Sequence, residues 1–98
     1  MDCRISHSAD KLILSLSGRL TYRDAESFPG LLAQIRQAKK EVEFDFQALD
    51  LIDSTGMGLL LQAYDIAQEK SLSMRITHPS ASVSKILRNA CFDVIITL

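Results

Sequence analysis

Apolar side chains along this chain follow two periods, and the changes between them mark its elements. Residues 11–17, KLILSLS, place Leu12, Leu14 and Leu16 on one side of an extended segment, the two-residue repeat of a half-buried strand. Residues 3–7 form a candidate partner strand across a turn at Ser8-Ala9-Asp10, and Gly18 is expected to end the second strand. Ala25, Phe28, Leu31, Leu32, Ile35 and Ala38 then recur at helical spacing over residues 24–38, with Asp24 or Thr21 available to cap the start. Pro29 is comfortable only in a first turn, so this helix either begins near Phe28 or bends there. Residues 42–46, VEFDF, alternate again, with Val42, Phe44 and Phe46 on one face. The helix after Ser54 carries Met57, Leu60, Leu61 and Tyr64 on one stripe, widened by Leu59, Ala63, Ile66 and Ala67. Residues 72–77, LSMRIT, read as a strand with Leu72, Met74 and Ile76 on one face. Pro79-Ser80 introduces a short helix with Val83, Ile86, Leu87 and Ala90 on one side, and residues 93–97, DVIIT, form a last strand or a strand-like tail.

The order is therefore β-β-α-β-α-β-α, with a final β optional. Helices between strands imply right-handed crossovers and a partly parallel sheet, so the expected class is α/β: one mixed sheet of four to five strands packed with about three to four helices. A chain of 98 residues has room for one core, and a single domain over residues 1–98 is expected. With 47% hydrophobic and 23% charged residues, the composition is that of a soluble globular protein and not of a disordered one. Net charge is -1, and Lys39-Lys40 is the sole adjacent basic pair, too little for a phosphate-backbone footprint, so no nucleic-acid partner is expected. No apolar run is long enough to span a bilayer, and the first residues lack the apolar core of a signal peptide, which argues against direct membrane insertion. Cys3 and Cys91 lie far apart without CxxC spacing and read as reduced thiols of a cytoplasmic protein in preference to a disulfide joining the two ends.

The motifs of common catalysts are missing. There is no GxxxxGK[ST] or GxGxxG loop, since Gly56-Met57-Gly58 lacks a third glycine. A Ser54–His78–Asp triad lacks the nucleophile elbow, because Ile52 stands where GxSxG needs its first glycine. His7 and His78 have no evident ligand cluster, and Asp45, Asp50 and Asp53 read as a solvated rim in preference to a magnesium site. No enzyme activity, metal or cofactor is expected.

One feature resists a purely structural account. In FDFQALDLIDSTGMG, a strand ends in the polar turn Asp53-Ser54-Thr55-Gly56 and opens directly into an apolar helix. A serine at or beside a helix N-cap can accept a backbone N–H and stabilise the helix by about 1 kcal/mol, and on physical grounds alone that reading leads. The same position also suits a phosphate, whose charge of about −1.5 to −2 would be tolerated by the free N–H groups of the helix start. Asp50 and Asp53 would make the local potential strongly negative, while Gly56 and Gly58 would keep the surface low enough for a partner backbone to approach.

The segment FDFQALDLIDSTGMGLLLQAYDIAQEKSLSMRIT resembles the central part of STAS domains, the sulfate transporter and anti-sigma factor antagonist family. The pattern is an acid-bearing strand (Asp45), an apolar end (Leu51-Ile52), then Asp53, Ser54, Thr55, Gly56, Met57 and Gly58. LILSLSGRLT upstream is similar to the family's early strand and the turn after it, and ASVSKILRNACFDVI downstream to its short helix followed by an apolar tail. The resemblance implies that Ser54 is phosphorylated by a serine kinase of the anti-sigma type. It also implies that Asp53, Ser54, Thr55, Gly56, Met57 and Gly58 form the partner-binding turn. Unphosphorylated protein would bind the anti-sigma factor or kinase, phosphorylation would block binding, and a serine phosphatase would restore it. The alternative within the family is a subunit docked permanently on a membrane transporter or lipid-transport ATPase, with Ser54 as no more than a cap. Thr21 stands where the family often has Asp, Ser71 replaces a common glycine, and the closing helix is short or missing.

Overall fold

The computed structural model describes residues 1–98. Strands β1 (Asp2–Ser8) and β2 (Lys11–Leu20) form an antiparallel hairpin, and β2, β3 (Glu41–Ile52) and β4 (Ser73–Thr77) run parallel in the sheet order β1-β2-β3-β4. Helix α1 (Phe28–Arg36) connects β2 to β3 and α2 (Ser54–Glu69) connects β3 to β4, both stepping across the sheet in one direction. Right-handed crossovers then place both helices on the same face, where α3 (Ala81–Asn89) joins them. Leu12, Leu14 and Leu16 of β2, Val42, Phe44 and Phe46 of β3, and Met74 and Ile76 of β4 meet the buried faces of the helices in one core. Phe44 and Phe46 pack edge to face with ring centroids 6.1 Å apart.

The strand expected over residues 42–46 extends to Ile52, and beyond Phe46 its alternation is broken by two register slips against β2. Ser15 pairs with Asp45 but Ser17 with Ala48, and Gly18 pairs with Leu49 but Arg19 with Leu51. Each slip adds a residue to β3, which returns Leu49 and Ile52 to the core at three-residue spacing while Gln47, Ala48, Asp50 and Leu51 face outward. Gly18 does not end β2; it adopts φ 84° beside the second slip, and the strand continues to Leu20.

Helix α1 begins at Phe28, with Pro29 in its first turn, and the helical spacing seen from residue 24 belongs to two elements. Tyr22–Asp24 is a separate 3-10 turn capped by Thr21, whose Oγ1 accepts the Arg23 N–H at 3.4 Å while Asp24 Oδ2 accepts the Thr21 N–H at 2.8 Å. The residue before α1, Ser27, makes no side-chain cap bond. In α2 the stripe is rotated from the expected one: Gly56, Leu59, Leu60, Ala63, Ile66 and Ala67 are buried, Met57 and Tyr64 are half-buried, and Leu61 is 42% exposed. Residues 93–97 form no strand. Phe92–Val94 is a 3-10 turn, and Thr97 makes a single parallel bridge to Arg75. Cys3 and Cys91 are free thiols.

The face of the sheet opposite the helices is polar. Lys11 Nζ donates to Glu43 Oε1 at 2.9 Å, Thr77 Oγ1 donates to Glu43 Oε2 at 3.0 Å, and Arg75 lies 3.9 Å from Glu41. The bond from Lys11 holds the Glu43 carboxyl below the usual range against the opposing effect of burial, with help from Thr77. Asp24 also titrates low. Burial pushes it up, but the Met1 ammonium on Oδ1 at 2.8 Å and the Thr21 N–H on Oδ2 outweigh it. A carboxyl whose folded value lies below its unfolded one stabilises the fold fully above the unfolded value, about 4.3 for a glutamate, and loses that contribution as pH falls through the folded value. Glu43→Gln is therefore expected to be less stable than the wild type at pH 6, with the gap closing by about pH 3. Urea midpoints at the two pH values measure this, and a gap that stays constant or widens in acid contradicts it.

Candidate functional site

Parallel pairing brings the carboxyl ends of β2 and β3 together, with Leu20 opposite Ile52. The chain leaves β3 at Asp53 and enters α2 on top of this edge, the usual location of sites in parallel sheets. The Asp53 N–H donates to the Leu20 carbonyl at 3.2 Å, which fixes the turn to the end of β2.

The cap of α2 is Asp53, not Ser54. Asp53 has extended backbone, its Oδ1 accepts the Gly56 N–H at 2.7 Å, and its Oδ2 accepts the Tyr22 N–H at 3.1 Å. One carboxylate thus satisfies the helix start and ties it to the Tyr22–Asp24 turn. A carboxylate accepts charge-assisted hydrogen bonds that a serine hydroxyl makes less strongly, so it takes the cap position. Ser54 becomes the first helical residue, exposed, with its hydroxyl making no hydrogen bond inside the protein. Thr55 is likewise exposed. The first helical backbone bond runs from the Met57 N–H to the Asp53 carbonyl at 2.9 Å, leaving the Ser54 and Thr55 N–H groups to point out of the helix without an internal partner.

The two glycines have different roles. Gly56 is buried, and a Cβ there would collide with the Leu20 carbonyl oxygen and lie 3.0 Å from Ile52 Cγ1. Its smallness lets α2 sit directly on the end of β2, so it does not serve the approach of another protein. Gly58 is exposed with open space around it and does leave the surface low. Met57 is half-buried against the core edge. Of the expected partner-binding turn, the outer surface therefore consists of Ser54, Thr55 and Gly58, with parts of Asp53 and Met57.

Three exposed apolar residues border this surface: Tyr22 at 63%, Leu51 at 41% and Leu61 at 42%. The sequence reading missed Tyr22 and Leu51 and placed Leu61 inward. The signal available for Leu51 was its position next to Ile52, since adjacent residues of a strand point to opposite faces. For Tyr22 there was none, because its link to Asp53 spans 31 residues.

The imagined magnesium site does not assemble. Asp45 Oδ1 accepts the Gln47 N–H at 3.1 Å and lies 3.5 Å from His78 Nδ1, while Asp53 is engaged as the cap. No group of three or more His, Cys, Asp or Glu side chains is arranged to hold a metal. No helix is long and apolar enough to cross a membrane.

A four-stranded sheet with three helices on one face and a serine at the strand-to-helix turn defines a small α/β domain of the STAS type. The family model described as "Mlab, STAS domain" matches residues 3–97, and the chain belongs to the STAS domain family. Its fold is similar to an anti-sigma-factor antagonist (STAS) domain protein from Planctomyces limnophilus, with a TM-score of 0.88 and 19% identity over 99% of this chain and 88% of that one. It is also similar to the Bacillus cell fate determinant SpoIIAA in its phosphorylated form (TM-score 0.75, 16% identity, 98% and 89% of the chains). A third likeness is to a sulfate transporter family protein from Wolinella succinogenes (TM-score 0.76, 19% identity, 87% and 70% of the chains). A search of curated proteins finds no match.

Proposed function

We propose that this domain is a binding module switched by phosphorylation of Ser54. Unphosphorylated, it binds an anti-sigma factor or serine kinase through the Ser54 face; phosphorylation blocks that binding, and a serine phosphatase reverses the block. The observation that carries this reading is the division of labour at the turn: Asp53 caps the helix, so the exposed Ser54 hydroxyl can be modified without dismantling the cap. A phosphate there would meet two free N–H groups and the positive end of the helix, so the fold should survive modification. The added charge of about −1.5 to −2, beside the Asp53 carboxylate, would repel a partner fitted to small, neutral residues. Likeness to a protein that exists in a phosphorylated form supports the same reading. The module acts by binding and not by catalysis.

Intact mass after incubation with the serine kinase of its own cell tests the site. The wild type is expected to gain one phosphate and Ser54→Ala none; full modification of Ser54→Ala would move the acceptor elsewhere, with Thr55 the neighbouring candidate. Ser54→Asp is expected to bind the kinase about ten-fold or more weakly, and Ser54→Ala within about two-fold of wild type. Equal affinities by calorimetry would remove the switch.

A second reading is favoured by the description of the matching family model and by the transporter likeness. There the same face docks the domain permanently on a membrane transporter or lipid-transport ATPase, and Ser54 is a surface residue. Constant co-purification with such an ATPase, without phosphoserine, distinguishes it.

A further inference from the structure

Beside the Ser54 turn lies an open cleft of about 580 Å³ between the amino-terminal residues, the end of β2 and the Tyr22–Asp24 turn. Two arginines line it, Arg19 and Arg23, and neither lies within ion-pair distance of an acid, as is true of seven of the eleven Lys and Arg residues (11 less the paired Lys11, Lys40, Arg75 and Arg88). Arg23 Nε donates to the Tyr22 hydroxyl at 3.3 Å, and its guanidinium lies 5.8 Å from the centre of that ring. Arg19 makes no side-chain bond at all and is exposed. Of the acids that line the cleft, Asp24 is neutralised by the Met1 ammonium at 2.8 Å, which leaves Asp2 alone against two guanidinium groups. The cleft is therefore cationic on a chain whose net charge is -1. Thr21 preserves that sign, since an acid at this position would offset one arginine.

The cleft is also held in place and partly apolar. The Tyr22 N–H is bonded to Asp53, the residue that precedes Ser54, so the turn carrying Tyr22 and Arg23 is fixed to the start of α2. Tyr22 and Leu51 supply exposed apolar surface within it. Arginine and tyrosine are enriched among the residues that carry most of the binding energy at protein interfaces, where they offer charge and stacking area.

We propose that this cleft receives an acidic segment of the protein that docks at Ser54, its carboxylates engaging Arg19 and Arg23 and an apolar neighbour resting on Tyr22 and Leu51. The inference rests on the reading of the Ser54 face as a docking surface and specifies the chemistry of its partner. It also gives the phosphate a defined target: a new negative charge on Ser54 repels the same acidic segment that the arginines attract.

The test is a titration of the isotope-labelled full chain, at low salt, with the acetylated and amidated peptide Glu-Asp-Leu-Asp-Glu and with its neutral counterpart Gln-Asn-Leu-Asn-Gln. The acidic peptide alone is expected to shift the amides of Arg19, Tyr22, Arg23 and Leu51. Binding should weaken about three- to ten-fold in the double variant Arg19→Gln, Arg23→Gln. Thr21→Asp, which retains a capping side chain, should weaken it in the same direction. Unchanged thermal melts establish that these surface variants fold. No shift up to millimolar peptide, shifts centred on Lys39 and Lys40, or full binding by the double variant would overturn the proposal. The titration needs neither kinase nor phosphate, so its outcome is independent of whether Ser54 gains a phosphate in the mass measurement.

Discussion

Gly56→Ala is expected to destabilise the domain by about 2–3 kcal/mol, although alanine is the better helix former by about 1 kcal/mol. The added methyl group would collide with the Leu20 carbonyl oxygen and press on Ile52 Cγ1 at 3.0 Å. Neither neighbour can give way easily. Leu20 and Ile52 are buried, they pair with each other across β2 and β3, and the Leu20 carbonyl already accepts the Asp53 N–H at 3.2 Å. Relief requires α2 to lift from the end of β2, which opens the core beneath Leu59 and Leu60 and displaces Ser54. Gly58→Ala is the matched control. With nothing within 4 Å of the new Cβ, it is expected to stabilise the helix by about 0.5–1 kcal/mol. Urea denaturation of the two variants decides the matter, and a Gly56→Ala protein as stable as wild type would show that the packing at this crossing is looser than described.

The second large effect is at Asp53. Asp53→Ala removes the acceptor of the Gly56 N–H at 2.7 Å and of the Tyr22 N–H at 3.1 Å, and is expected to cost about 2 kcal/mol, the upper end of the range for a helix cap. Asp53→Asn keeps an oxygen for the Gly56 N–H and should cost less. Ser54→Ala removes an exposed hydroxyl with no internal partner and should stay within about 0.5 kcal/mol of wild type. The pair of measurements discriminates between the two candidate caps. A loss at Ser54 exceeding that at Asp53 would return the cap to the serine and tie any modification of Ser54 to the stability of the helix.

Much of the fold is legible along the chain because its elements obey local rules. Leu12, Leu14 and Leu16 alternate since one face of β2 is buried and the other is not. Ser80 precedes α3 as a cap should, and its hydroxyl accepts the Val83 N–H at 3.2 Å. Reading failed where distant contacts override local pattern. The strand expected at residues 42–46 runs on to Ile52, and beyond Phe46 slips against β2 reset which residues face inward; alternation cannot anticipate a slip. Asp24 or Thr21 is expected to cap a helix over residues 24–38; Thr21 caps a separate turn instead, and Asp24 is 6% exposed and paired with the Met1 ammonium, a partner that no local pattern indicates. The stripe of α2 takes in Leu59 and Leu60 and leaves Leu61 out, a choice that periodicity cannot make among consecutive leucines.

The same division governs the site. By itself the sequence determines that a polar turn, Asp53-Ser54-Thr55-Gly56, separates a strand from an apolar helix, and that this motif is of the STAS kind, because motif and amphipathic pattern are properties of neighbouring residues. Only the tertiary structure decides which oxygen caps the helix, which glycine is needed for packing, and that Tyr22, in a cleft shared with Arg19 and Arg23, is tied to the residue before Ser54. Those facts follow from the parallel pairing that sets Leu20 against Ile52. The carboxyl ends of two strands, some thirty residues apart in the chain, are brought to one edge by burial of their shared face, and the Asp53 carboxylate joins what that pairing has brought together.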